Sequence, residues 1–191
     1  MSIPRRLVLL ARPGAGKSTQ AGRLSVVLGI EQVDTGEILR EEVGSSSELG
    51  SAIAPTILRG ELVPDNTVIA VITPFLERAV ALGGYVLDGF PRDLAQAEAL
   101  ANLEPSGLAP ELAISLELSP EVCRRRLLAR AELEGRADDT PETIDRRLAA
   151  YDKDMVPVLG WYDKREILMR ICAAGAPEAV TDRLLTGLKA S

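Results

Sequence analysis

Short apolar runs alternate along this chain with longer stretches in which apolar positions recur every three or four residues. The runs at 6–10, 85–88, 112–118 and 167–171, with a weaker one at 32–34, are too short and too uniformly apolar for surface helices and predict buried strands. Between them, the helical period predicts helices over 17–28, 36–43, 47–59, 65–82, 94–103, 120–132, 141–161 and 177–189. Two of these carry explicit start signals. Ser119-Pro120 with Glu121, and Thr140-Pro141 with Glu142, each set a capping hydroxyl before a proline at the first helical position. Strands that alternate with helices predict an α/β fold, a parallel sheet covered on both faces. Two stretches read as excursions from that sheet: 34–63, with two short helices around Gly44-Ser45-Ser46-Ser47, and the short polar segment 131–140 between two helices.

Composition narrows the chemistry. A chain of 191 residues predicts one domain with small inserts, and no internal repeat or low-complexity tract interrupts it. No apolar run approaches the roughly 20 residues of a membrane span, and the segment after Met1 is too short for a secretory h-region. Cys123 and Cys172 lie far apart without metal-ligand spacing, so reduced thiols in a cytoplasm are expected and no zinc site is readable. The net charge of −6 and 3% aromatic content argue against a nucleic-acid partner. Histidine is absent, which excludes Ser-His triads, His-based metalloproteases and His acid–base chemistry. Of the 22 basic residues 18 are Arg, the side chain suited to bidentate phosphate contacts.

The strongest motif is Ala11-Arg12-Pro13-Gly14-Ala15-Gly16-Lys17-Ser18-Thr19-Gln20, placed between the first predicted strand and helix. A small-residue turn there gathers unpaired backbone N–H groups and the positive helix end around one anion. Lys17 then reaches the outer phosphates of a nucleotide, and Ser18 offers a hydroxyl to Mg²⁺. Asp88-Gly89-Phe90-Pro91-Arg92 closes another strand, with Asp88 placed to hold water molecules of Mg²⁺. Gln96, one helical turn beyond Arg92, can face the same pocket. Arg126 and Arg130 share a helix face, Arg136 sits in the polar segment and Arg147 on the helix after it. Arg124 and Arg125 point elsewhere, as solvated charge. Exposed ion pairing with Glu121, Glu132 or Asp145 is the alternative for any of these arginines.

These motifs, with Asp34-Thr35-Gly36-Glu37-Ile38-Leu39-Arg40, Gly60-Glu61-Leu62-Val63-Pro64-Asp65 and Gly135-Arg136-Ala137-Asp138-Asp139, together resemble adenylate kinase in order and spacing over nearly the whole chain. The short connection between Arg130 and Arg136 resembles the short-lid form. The resemblance implies a three-layer P-loop NTPase fold with a five-stranded parallel sheet. It implies an acceptor-binding insert at 34–63 and a lid at 130–140 within a single domain spanning 1–191. It implies Mg²⁺-dependent phosphoryl transfer from ATP to AMP, giving two ADP, by a cytoplasmic monomer. Lys17 would hold the donor's outer phosphates, with Pro13, Gly14, Ala15, Gly16, Ser18 and Thr19 cradling the rest. Arg126 would lie against the donor base, and Arg130, Arg136 and Arg147 would neutralise the phosphate chain. Thr35, Gly36, Arg40, Arg92 and Gln96 would bind the acceptor, with Arg40 and Arg92 on its phosphate, and Arg136 and Arg147 would also belong to its site. Leu39, Glu61, Leu62, Val63 and Gly89 would border its base. Asp88 would order Mg²⁺ through water, and Asp138 and Asp139 would act with the lid.

Three positions depart from that family's pattern. Ala11 replaces the first glycine of the loop, harmful if the backbone there needs φ > 0 and harmless if it does not. Ser18 stands where glycine is usual, which suggests a more direct Mg²⁺ contact. Asp93 replaces the usual Thr and is expected to cap the following helix. The competing readings are a related kinase for another nucleoside monophosphate or nucleotide-like metabolite, and a nucleotide-binding protein without turnover.

Overall fold

A computed structural model describes residues 3–45, 47–58, 63–134 and 140–190. Five parallel strands, β1 (Arg6–Ala11), β2 (Glu31–Asp34), β3 (Tyr85–Asp88), β4 (Leu112–Glu117) and β5 (Leu168–Cys172), pair in the order β2-β3-β1-β4-β5. Eight α-helices are described: α1 (Lys17–Leu28), α2 (Thr35–Gly44), α3 (Glu48–Leu58), α4 (Asp65–Ala81), α5 (Leu94–Ala101), α6 (Pro120–Glu134), α7 (Pro141–Asp163) and α8 (Pro177–Ala190). Every expected element is present, with ends displaced by only a few residues. α2 starts one residue early because the Asp34 carboxylate caps it, accepting from Glu37 N–H at 3.0 Å. α5 stops at Ala101, and a 3₁₀ turn over Glu104–Ser106 replaces the rest of the expected helix.

The strands are apolar throughout because both faces are covered. Leu7, Leu9 and Ala11 of β1 point into one layer with Ala21, Leu24, Cys123, Leu127 and Leu184, from α1, α6 and α8. Val8 and Leu10 point into the other, with Ile72, Leu76, Ala97 and Leu100 of α4 and α5. α7 belongs to both layers. Ile144 and Leu148 pack with α6 and α8, whereas Met155, Val158 and Tyr162 pack with α4 and α5, so the helix crosses from one face of the sheet to the other near its middle.

The strand order reverses at β1: after it the chain builds β2 and β3 on one side and then β4 and β5 on the other. In an open parallel sheet the crevice beyond the strand ends at such a reversal is where ligands bind. Ala11, Asp34 and Asp88 end their strands at that edge, with Asp34 in register with Asp88. Ala11 is itself a strand residue, 5% exposed and in register with Leu116. Among the described non-glycine residues only Glu166 has φ > 0, so the missing glycine at position 11 costs the backbone nothing.

Candidate active site

The loop between β1 and α1 is shaped by two glycines. Gly14 has φ +83 and Gly16 φ +93, and Ala15 N–H donates to Arg12 O at 3.0 Å to close the turn. Gly16 stands at the α1 N-cap without a capping side chain, and no acidic residue lies in the first turn. The first N–H groups of α1 thus face outward at the positive end of the helix, ready for an anion. Gly14 needs its missing side chain for a second reason: a Cβ would come within 2.7 Å of the Cys123 carbonyl and 2.9 Å of Leu127 Cγ on α6. Beside this loop lies a cavity of ≈ 340 Å³ lined by Gly14, Gly16, Thr19, Arg126, Gly175 and Pro177. Thr19 and Ser18 are both exposed, and Ser18 also borders a groove that runs down α1 to Val26 and Val27.

Lys17 forms an ion pair with Asp88, whose carboxylate is 1% exposed. The other carboxylate oxygen, Oδ2, is buried with no hydrogen-bond partner. Burial pulls the Lys17 ammonium down to about 8, with Asp34 opposing the shift and Arg92 adding to it. Arg92 is likewise held below the ordinary guanidinium range, first by burial and then by the like charges of Arg147 and Arg40, with Asp34 opposing. Lys17, Arg40, Arg92 and Arg147, carried by α1, α2, the β3–α5 loop and α7, therefore share one electrostatic neighbourhood with two carboxylates. Cations crowded like this repel one another, and an anion placed among them relieves that repulsion.

The second half of the crevice is built by the β2–α2 and β3–α5 connections. Gly89, at φ +86, lets the chain turn after Asp88 and adds no bulk beside Thr35 and Gly36. Arg92 Nε donates to Gly89 O at 3.0 Å, and Arg92 N–H donates to Gln96 Oε1 at 2.8 Å. Gln96 is 2% exposed, so its amide is fixed with the oxygen engaged and the NH₂ left to donate. Asp93 caps α5, accepting from Gln96 N–H at 2.9 Å, as expected. Thr35 is buried with its hydroxyl lacking a hydrogen-bond partner. The Arg40 guanidinium folds over Gly36, where a Cβ would come within 3.2 Å of it. Leu39 packs against the layer that contains Val63.

Arg130 lies one turn beyond Arg126 on α6, half-buried. Arg124 pairs with Asp145 of α7 at 2.6 Å on the surface and takes no part in the cluster. Glu61, Leu62 and Arg136, with Asp138 and Asp139, lie outside the described residues. Two residues lie inside quoted motifs without a role assigned from sequence. Asp34 opposes the shifts of both Lys17 and Arg92 and stands before Thr-Gly at a strand end. Arg12 belongs to the loop motif, but nothing in that motif marks its partner on α7, Asp152.

Comparison with known proteins agrees with this geometry. The adenylate kinase family model matches residues 9–167. An adenylate kinase of Thermus thermophilus is 41% identical over 189 residues, covering 98% of this chain and 99% of that protein. One from Thermobifida fusca is 42% identical over 185 residues, covering 96% and 98%. One from Xanthomonas oryzae pv. oryzae is 39% identical over 184 residues, covering 96% and 98%. With the phosphate loop, the buried Lys17–Asp88 pair and the gathered arginines in one crevice, and with full-length relatives on this scale, the chain belongs to the adenylate kinase family.

Proposed function

We propose how this chain's own residues carry out the family reaction, the transfer of a phosphoryl group between ATP and AMP to give two ADP. The convergence of Lys17, Arg40, Arg92 and Arg147 on one crevice supports the assignment most strongly. The acceptor is a phosphate dianion, already ionised at neutral pH, so a chain without histidine needs no general base. What it must do is bring two polyanions into line and exclude water. ATP lies with its phosphates on the Gly14–Gly16 turn and its base beside Arg126. AMP lies against Thr35, Gly36, Leu39, Val63 and Gly89, with its phosphate on Arg40 and Arg92. Lys17, Arg130 and Arg147 hold the transferring group. In this reading 34–63 is the acceptor insert and 130–140 the lid, whose Arg136 lies outside the described residues.

Mg²⁺ fits the donor set. Asp88 Oδ2, buried and unpartnered, is a carboxylate oxygen available to a hydrated cation. When bound, the ion would offset the charge of the phosphate groups. Among the described residues no three acidic, Cys or His side chains cluster for a metal; Asp88 and the exposed Ser18 hydroxyl are the groups that would hold the hydrated ion. Replacing Ser18 by Gly is expected to raise the Mg²⁺ concentration for half-maximal rate by about 3–10-fold, the loss of one modest contact. Unchanged Mg²⁺ dependence and turnover would show that Ser18 makes no such contact.

The acceptor is AMP because the fixed Gln96 NH₂ meets an acceptor nitrogen, adenine N1, where guanine presents an N–H. The family assignment disfavours the alternatives of another monophosphate or of binding without turnover. Coupled ADP formation across AMP, GMP, CMP and UMP tests this. kcat/KM for AMP is expected to exceed that for GMP by about 10²-fold or more, since an unpaired buried polar group is costly. A different base as best substrate would overturn it. The reading includes a monomer working in the cytoplasm, a reducing compartment in which free Cys123 and Cys172 are the ordinary state. No described helix is long and apolar enough to cross a membrane.

A further inference from the structure

Arg12 points away from the phosphates although it stands inside the loop that cradles them. Its Nε donates to Asp152 Oδ1 at 2.7 Å, its Nη1 donates to the Leu118 carbonyl at 3.1 Å, and its guanidinium lies 5.7 Å from the centre of the Tyr151 ring. One side chain is thereby fastened to α7 and to the turn that leads into α6. Its own carbonyl closes the loop by accepting from Ala15 N–H. Asp152 lies on α7 between Leu148 and Met155, at the place where that helix passes from one layer to the other. Arg147 is five residues earlier on the same helix, about 7.5 Å along its axis. The fastening therefore joins the element that holds the donor's phosphates to the element that presents a phosphate-binding arginine.

We propose that Arg12 and Asp152 form a positioning pair, which fixes the phosphate loop relative to α7 and so sets the distance between Lys17 and Arg147 in the transition state. The proposal rests on the site reading above and adds a residue to it. Arg12 touches neither nucleotide. It acts through the two groups that do. The planar fork suits the task because it engages a carboxylate and a carbonyl at once, which a lysine ammonium on a flexible stem does not. The pair is partly exposed, with side-chain exposures of 29% and 44%, so a purely structural role would leave little trace in turnover. Misplacing two groups that must act together is expensive at the transition state and cheap in the ground state.

The test is a double-substitution cycle read on steady-state kinetics well below the melting temperature, with circular dichroism to confirm folding. Arg12→Ala and Asp152→Ala are each expected to lower kcat by about 10-fold while KM for AMP stays within about twofold. The double variant is expected to be no slower than either single one, because both remove the same link. The swapped pair Arg12→Asp with Asp152→Arg should recover part of the loss, and Arg12→Lys should lose about 3-fold, an intermediate result. Additive losses, or unchanged kcat with only a lowered melting temperature, would overturn the proposal. If the wild-type chain made no ADP, the site reading would fail first. The same cycle read on the affinity of a bisubstrate dinucleotide, which must engage Lys17 and Arg147 together, would still decide whether the two residues act as one.

Discussion

Replacing Lys17 by Met is expected to lower kcat by about 10³-fold, roughly 4 kcal/mol of barrier, while the protein stays folded. In the proposed function the ammonium meets the charge that accumulates on the transferring group; the other three lysines, Lys153, Lys164 and Lys189, lie on α7, just after it and on α8. The same residue sets a pH limit. Its group is charged below about 8 and neutral above, because burial disfavours the cation in the free enzyme. kcat/KM for ATP should therefore be level at lower pH and fall as pH rises through about 8. The residual activity of the Met variant should lack that falling limb. A limb that persists in Lys17→Met would assign the titration to another group.

The second large effect concerns Gly14. Changing it to Ala is expected to cost about 3 kcal/mol of stability, since it adds both a left-handed non-glycine residue and a methyl pressed on the Cys123 carbonyl. For a chain of this size that lowers the melting temperature by about 6–12 °C. ATP affinity should fall as well, because the loop can relieve the clash only by moving off α6. Gly16 provides the control. Its φ is also left-handed, but a Cβ there meets nothing within 4 Å, so Gly16→Ala should cost only about 1–2 kcal/mol. Equal losses from the two substitutions would mean that the contact with α6 does not matter.

Much of this is legible in the chain because the signals are local. An apolar run before Gly14-Ala15-Gly16-Lys17 fixes a strand, a turn and a helix by periodicity and backbone freedom alone. Asp93 announces its cap by lying three residues before Gln96. Other features depend on groups far apart in the sequence. Whether Ala11 is damaging turns on its dihedral angles, which follow from pairing with Leu116 rather than from its neighbours. Asp34 emerges as an electrostatic partner of Lys17 only once β2 and β3 are in register. The partner of Arg12 is invisible in its own motif, because Asp152 lies on α7, 140 residues later. Helix spacing alone separates Arg124 from Arg126 and Arg130, but its partner Asp145 requires the packing of α6 on α7.

A helix rooted in both hydrophobic layers leaves the molecule without a seam. Loosening either side of the sheet drags on the other through Ile144 and Leu148 at one end and Val158 and Tyr162 at the other. The two layers are thus expected to unfold in a single transition, with far-ultraviolet circular dichroism and tryptophan fluorescence giving coincident melting curves.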